Sequence, residues 1–198
     1  MRGIILAFAA VLAFTPPALA VEASPAAPAP EVAKRPPAEI RADLLDRLFA
    51  KLHTASNPED SRSTEQGIWE LWMASDSPTA EVLLKQATRA MGDGANPQAL
   101  AMLNRLIGAE PEYAEAWNKR ATLYFAMGRF DESLKDIEHV LDIEPRHFGA
   151  LAGRGMILQR QKKYAGARAA FEDALSMNPR MDQIRDAVKA LDKIERGI

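Results

Sequence analysis

The sequence predicts an all-α protein, a stack of antiparallel helix pairs with about nine helices in all, and three observations carry that prediction. Shifted by thirty-four residues, the chain lays Pro111, Pro145 and Pro179 on one another. The same shift superimposes small residues, Ala87, Ala121 and Gly155, and bulky ones, Leu83, Trp117 and Leu151. It also aligns Ala90, Tyr124 and Leu158, then Ala99, Ser133 and Ala167, then Leu103, Ile137 and Phe171. A small residue at a fixed place lets two helices approach closely, and bulky neighbours fill the space beside it. A proline, lacking a backbone donor, closes one pair before the next begins.

The clearest copy is residues 117–145, WNKRATLYFAMGRFDESLKDIEHVLDIEP, with Trp117, Ala121, Tyr124 and Pro145 at the recurring places. Gly155 and Pro179 hold those places in the next copy. This period and residue pattern resembles the tetratricopeptide repeat, TPR. The resemblance implies a right-handed TPR superhelix with repeats over 79–111, 112–145 and 146–179, followed by a capping helix over 180–198. In that helix Ile184, Val188 and Leu191 share one face, as a helix covering the open end of a stack requires.

Residues 1–20 read as a cleaved secretory signal: Arg2 gives a positive start, an uncharged apolar run follows, and Ala18 and Ala20 suit a peptidase, with cleavage after Ala20. An uncleaved anchor is disfavoured by the shortness of the run and by Pro16 and Pro17. The expected location is therefore the periplasm, with no integral membrane span in the mature chain. Residues 21–38 are rich in Pro and Ala and read as a flexible linker, with a proline-rich recognition motif as the alternative. Residues 39–78 read as an N-terminal helix pair, a degenerate repeat that leaves the repeat count at three or four. Its apolar stripe is Ile40, Leu44, Leu48 and Leu52, and its Trp69 and Trp72 read as core packed on the next helix pair, the sharper alternative being an aromatic ligand cage.

The formal net charge of −2 favours neither nucleic acid nor a membrane surface, and the absence of cysteine excludes disulfides, thiolate metal sites and cysteine nucleophiles. His53, His139 and His147 fall in no metal-ligand spacing, and no phosphate-binding loop is present. No catalytic residue, metal or cofactor is expected, and the chain reads as a non-enzyme.

In TPR arrays the first helix of each pair lines the concave groove. By that resemblance the groove presents Glu81, Leu84 and Thr88, then Glu115, Asn118, Thr122 and Phe125, then Ala152, Met156, Gln159 and Arg160. Leu84, Phe125 and Met156 are its exposed apolar members in this reading, suited to an apolar peptide stripe. The family's carboxylate clamp for chaperone C-termini is broken here: Lys85, Asn118 and Lys119 are present, but Gly149, Ala152 and Gly153 stand at the remaining places. Arg120 and Arg154 recur one repeat apart. The reading is a structural arginine, partly buried and bonded to Asp136; the alternative, drawn from Ala170 standing where the third repeat would carry its acid, is that one arginine is left for an acidic partner. The chain further resembles small envelope TPR proteins of alphaproteobacteria, which implies a scaffold binding a peptide or helix of a cell-envelope partner, in envelope assembly or maintenance. The alternatives are an adaptor subunit of a secretion or polysaccharide-export complex and an enzyme with its site on the groove. Self-association through Trp69, Trp72 or the capping helix stays open, so a homo-oligomer is retained.

Overall fold

The computed structural model describes residues 36–196, so the expected signal peptide (1–20) and nearly all of the expected 21–38 linker lie outside the described residues. Among these there are nine helices and no strand: α1 (Pro37–Thr54), α2 (Pro58–Met73), α3 (Pro78–Gly92), α4 (Asn96–Ala109), α5 (Ala114–Ala126), α6 (Phe130–Ile143), α7 (Phe148–Arg160), α8 (Tyr164–Met177) and α9 (Asp182–Arg196). The helices from α3 to α8 form three antiparallel pairs wound into a right-handed superhelix.

Local chemistry sets the ends of these helices. The Asn57 side chain accepts the Asp60 N–H at 2.8 Å and Ser77 accepts that of Ala80 at 3.3 Å, each just before a proline in the first helical turn. Within each pair the turn passes through left-handed backbone at Gly94 (φ 72°), Gly128 (φ 72°) and Lys162 (φ 59°), so the thirty-four-residue register extends to the dihedral angles.

The matched small and large residues meet as the spacing requires. Ala87 packs in one buried cluster with Leu103, and Ala121 in another with Ile137. In the third pair Phe171 replaces the aliphatic residue, and a Cβ on Gly155 would lie 2.4 Å from its ring. A larger partner thus demands the smaller residue. Leu191 of α9 is fully buried against Ala167 and Phe171, and α9 closes the end of the stack.

The N-terminal pair departs from the expected extra repeat. The contacts that join α4 to α5 and α6 to α7 have no counterpart of that extent between α2 and α3. Instead α1 and α2 lie lengthwise as a strap. The start of α2 faces Arg180 and Asp182, and its end meets α3 and Tyr113, whose hydroxyl donates to the Met73 carbonyl. Along α1, Asp46 pairs with Arg146 at 2.6 Å, and His53 bonds the Ser176 carbonyl at 2.8 Å. The physical reason is a broken register. One repeat back from Ala87 stands His53, too large for close helix approach, and one repeat back from Leu103 stands Trp69. Trp69 and Trp72 are core as expected, but against the third repeat rather than the first.

Candidate functional site: the concave groove and its strap

The first helices of the three pairs, α3, α5 and α7, supply the concave face. Between α5 and α7 a slot of about 80 Å³ opens, walled by Asn118, Thr122 and Phe125 on one side and Gly149, Gly153 and Met156 on the other, with Ser133 and Ile137 beneath. Four residues expected in the groove, Asn118, Thr122, Phe125 and Met156, therefore come together. Polar groups of the slot are turned inward. The Thr122 hydroxyl donates to the Asn118 carbonyl at 2.9 Å, Ser133 donates to the Ala121 carbonyl at 2.7 Å, and the Asn118 amide donates to Glu115 at 2.9 Å. No charged side chain lines the slot.

Other expected groove residues lie elsewhere. Glu81 and Thr88 border an open cleft with Glu70, Met73, Lys85 and Arg89, one wall of which is α2. Ala152, itself buried, and Met156 border a second cleft with Glu65 and residues 180–184. Gln159 is half-buried and Arg160 exposed at the far end of α7. Leu84 is not an exposed groove residue: it is 0% exposed in the core shared by α3, α4 and α5, because the repeat register sets it against Leu103 and Ala116. Glu115 is likewise not presented to a partner. It is 0% exposed and bonded by Asn118, by Lys119 at 3.0 Å and by His147 at 3.2 Å.

That buried group was invisible to local spacing, since thirty-two residues separate Glu115 from His147. His147 caps α7 by accepting the Ala150 N–H on Nδ1 at 3.1 Å, so its Nε2–H is the donor to Glu115. Burial pushes the Glu115 carboxyl up, but the hydrogen bond from His147 and the Lys119 ammonium outweigh it and hold the group below the usual carboxylate range. Trp72 stacks on the imidazole with centroids 4.1 Å apart, and Trp69 sits edge-on to it at 5.4 Å. Phe148, fully buried, is ringed by Phe49, Trp69 and Trp72. Gly149 is the residue that admits Trp69: a Cβ there would lie 2.7 Å from the indole. The glycine standing where earlier repeats carry Glu81 and Glu115 was the one sequence signal of this seat.

Neither repeated arginine is left for an outside acid. Arg120 holds both Asp136 oxygens at 2.8 Å and also reaches Asn104, joining two repeats, while Arg154 pairs with Asp173 at 2.8 Å. The structural reading holds for Arg120, and the alternative of an arginine left for an acidic partner fails because Asp173, rather than residue 170, supplies the third repeat's acid. No group of three or more His, Cys, Asp or Glu among the described residues could hold a metal ion. No described helix is long and apolar enough to cross a membrane.

The tetratricopeptide-repeat models match residues 84–136 and 112–180, the same stretch that builds α3 to α8. The chain belongs to the TPR family. It is similar to a TPR repeat-containing protein of Rhizobium etli, 42% identical over 135 residues, which are 68% of this chain and 66% of that protein. This TPR chain thus spans just under two thirds of that relative. Among solved structures it is similar to the Sgt2 TPR domain from Aspergillus fumigatus (TM-score 0.57, 21% identity, 63% of this chain and 84% of that one). It is also similar to the first TPR of Spaghetti (RPAP3) bound to the HSP90 peptide SRMEEVD (TM-score 0.58, 19% identity, 61% and 96%). At these identities the structural likenesses speak for the fold alone.

Proposed function

We propose that this TPR chain is a non-catalytic periplasmic scaffold that holds a segment of a cell-envelope protein in its concave groove, anchored by one apolar side chain in the slot between α5 and α7. The observation that carries this reading is the slot itself, open on the concave face and walled by Phe125 and Met156 with no charge among its lining residues. An apolar side chain gains by entering such a place, whereas a carboxylate would leave water for a site without a cation. The acidic peptide held by the RPAP3 domain is for that reason a poor guide to the ligand here. Lys119 is committed to Glu115, and Gly149, Ala152 and Gly153 offer no side-chain donor. Export rests on the text of residues 1–20, and a mature chain beginning at Val21 is the outcome that N-terminal sequencing of periplasmic material would give. A role in envelope assembly or maintenance belongs to the same proposal.

Crosslinking in cells tests the groove. A photoreactive residue at Phe125 should give a discrete adduct that mass spectrometry identifies, while one at the exposed Lys135 should not. Adducts from Lys135 alone, or from neither, would overturn the groove as the binding surface.

A further inference from the structure

We propose that the seat beneath α2 is a helix-binding site that the chain fills with its own strap, and that its outside ligand is an amphipathic helix carrying two aromatic side chains three positions apart, as Trp69 and Trp72 are on α2. The seat lies at the start of α7 in the third repeat and is continuous with the slot through Gly149, which belongs to both. It has the shape of a receptor for that pair. Gly149 makes room for one indole, His147 stacks flat beneath the other, and Phe148 stands between them.

Two features make α2 an exchangeable occupant. The strap is attached to α3 only through residues 74–77, and its backbone hydrogen bonds are closed within its own helices. Among the described residues its polar ties to the stack include Tyr113 to the Met73 carbonyl, Arg180 to the Ala55 carbonyl, His53 to the Ser176 carbonyl and Arg146 to Asp46, and the link adds the Ser75 N–H to Glu81. The fit is also incomplete. The Trp72 indole N–H is buried at 7% residue exposure with no acceptor, so part of its desolvation is unrecovered, and a helix with a phenyl ring at that place would avoid the cost. Helix α2 carries Ser61, Ser63, Thr64 and Gly67, weak helix formers, so its order comes from docking.

The test uses the purified full chain and a fluorescent synthetic peptide copying residues 57–74. The chain with Tyr113→Phe and Arg180→Ala loses polar ties at both ends of the strap while keeping the seat, and Trp69→Ala with Trp72→Ala empties the seat directly. Either loosened chain should bind the peptide about tenfold more tightly than the unmodified chain, because competition from the strap lowers apparent affinity in proportion to the open fraction. Adding Gly149→Ala, or removing both tryptophans from the peptide, should abolish the gain. Equal binding by loosened and unmodified chains, or no binding by a loosened chain of unchanged helix content, would overturn the proposal. The inference shares the concave face with the proposed function but not its partner. Peptide exchange without a Phe125 adduct would sink the groove reading alone, and an adduct without exchange would sink this one alone.

Discussion

Replacing Gly149 by alanine perturbs the strap with a single methyl group. The added carbon would lie 2.7 Å from Cη2 of Trp69, 3.2 Å from its Cζ2 and 3.3 Å from Cε1 of His147, against about 3.5–4 Å for a relaxed carbon contact. The indole must therefore move by about 1 Å, and overpacking of this kind costs about 1–3 kcal/mol. Exchanging a helical glycine for alanine returns about 1 kcal/mol, so the net loss should be about 1 kcal/mol. Gly153→Ala is the internal control. Its new carbon lies 3.4 Å from Ile137, an ordinary contact, and it should stabilise by about 1 kcal/mol while narrowing the slot. Urea unfolding gives the two energies, and hydrogen exchange over α2 locates the effect. If Gly149→Ala stabilises as much as Gly153→Ala and leaves exchange in α2 unchanged, Trp69 is not seated on Gly149 and the packing argument is wrong.

Other substitutions separate the remaining forces. Gly155→Ala should cost about 3 kcal/mol in urea unfolding, since its Cβ would sit 2.4 Å from the ring of Phe171, which is fully buried and has nowhere to go. Lys162→Gly should stabilise by about 1 kcal/mol by calorimetry, because Lys162 holds the left-handed conformation that Gly94 and Gly128 adopt freely. Arg120→Ala should cost about 3 kcal/mol, leaving buried Asp136 without its partner, whereas Arg154→Ala, in a more exposed pair, should stay within about 0.5 kcal/mol. The Glu115 carboxyl, pushed up by burial but held below its ordinary 4.5 by His147 and Lys119, contributes stability above that value and loses it as pH falls through the lowered value. Glu115→Gln should flatten that acid-side fall in the urea midpoint.

The stack was legible because a repeat states its own packing three times over. The alignment of Ala87, Ala121 and Gly155 with Leu103, Ile137 and Phe171 is a list of contacts written at fixed spacing, and the pairs meet as written. Half of the slot was legible for the same reason, since helical geometry alone places Asn118, Thr122 and Phe125 along one side of α5. Leu84 failed because a register that fixes where a residue sits on its helix does not fix what covers it: Asn118 in the same register borders the slot, while Leu84 meets Leu103 and Ala116. The strap failed for a deeper reason. Its partners, Phe148, Met177 and Met181, lie about a hundred residues away and follow no period, so nothing local distinguishes a helix pair that continues a stack from one that lies across it.

The column Glu81, Glu115, Gly149 shows how one repeated position took on separate tasks. At Glu81 the carboxylate is exposed and accepts the Ser75 N–H at 2.9 Å, fixing the link between strap and stack. At Glu115 it is buried and anchors His147. At Gly149 the side chain is gone, and the space serves Trp69 on one side and the slot on the other. A carboxylate at 149 would meet the indole and place a charge beside an apolar slot, so Gly149→Glu should both release the strap and disfavour an apolar anchor. The same absence of a side chain therefore seats the chain's own helix and shapes the place where another protein's side chain would enter, which couples the two. A partner that presses on Gly149 from the slot acts on the seat of Trp69, and the strap's docking should weaken as that partner binds.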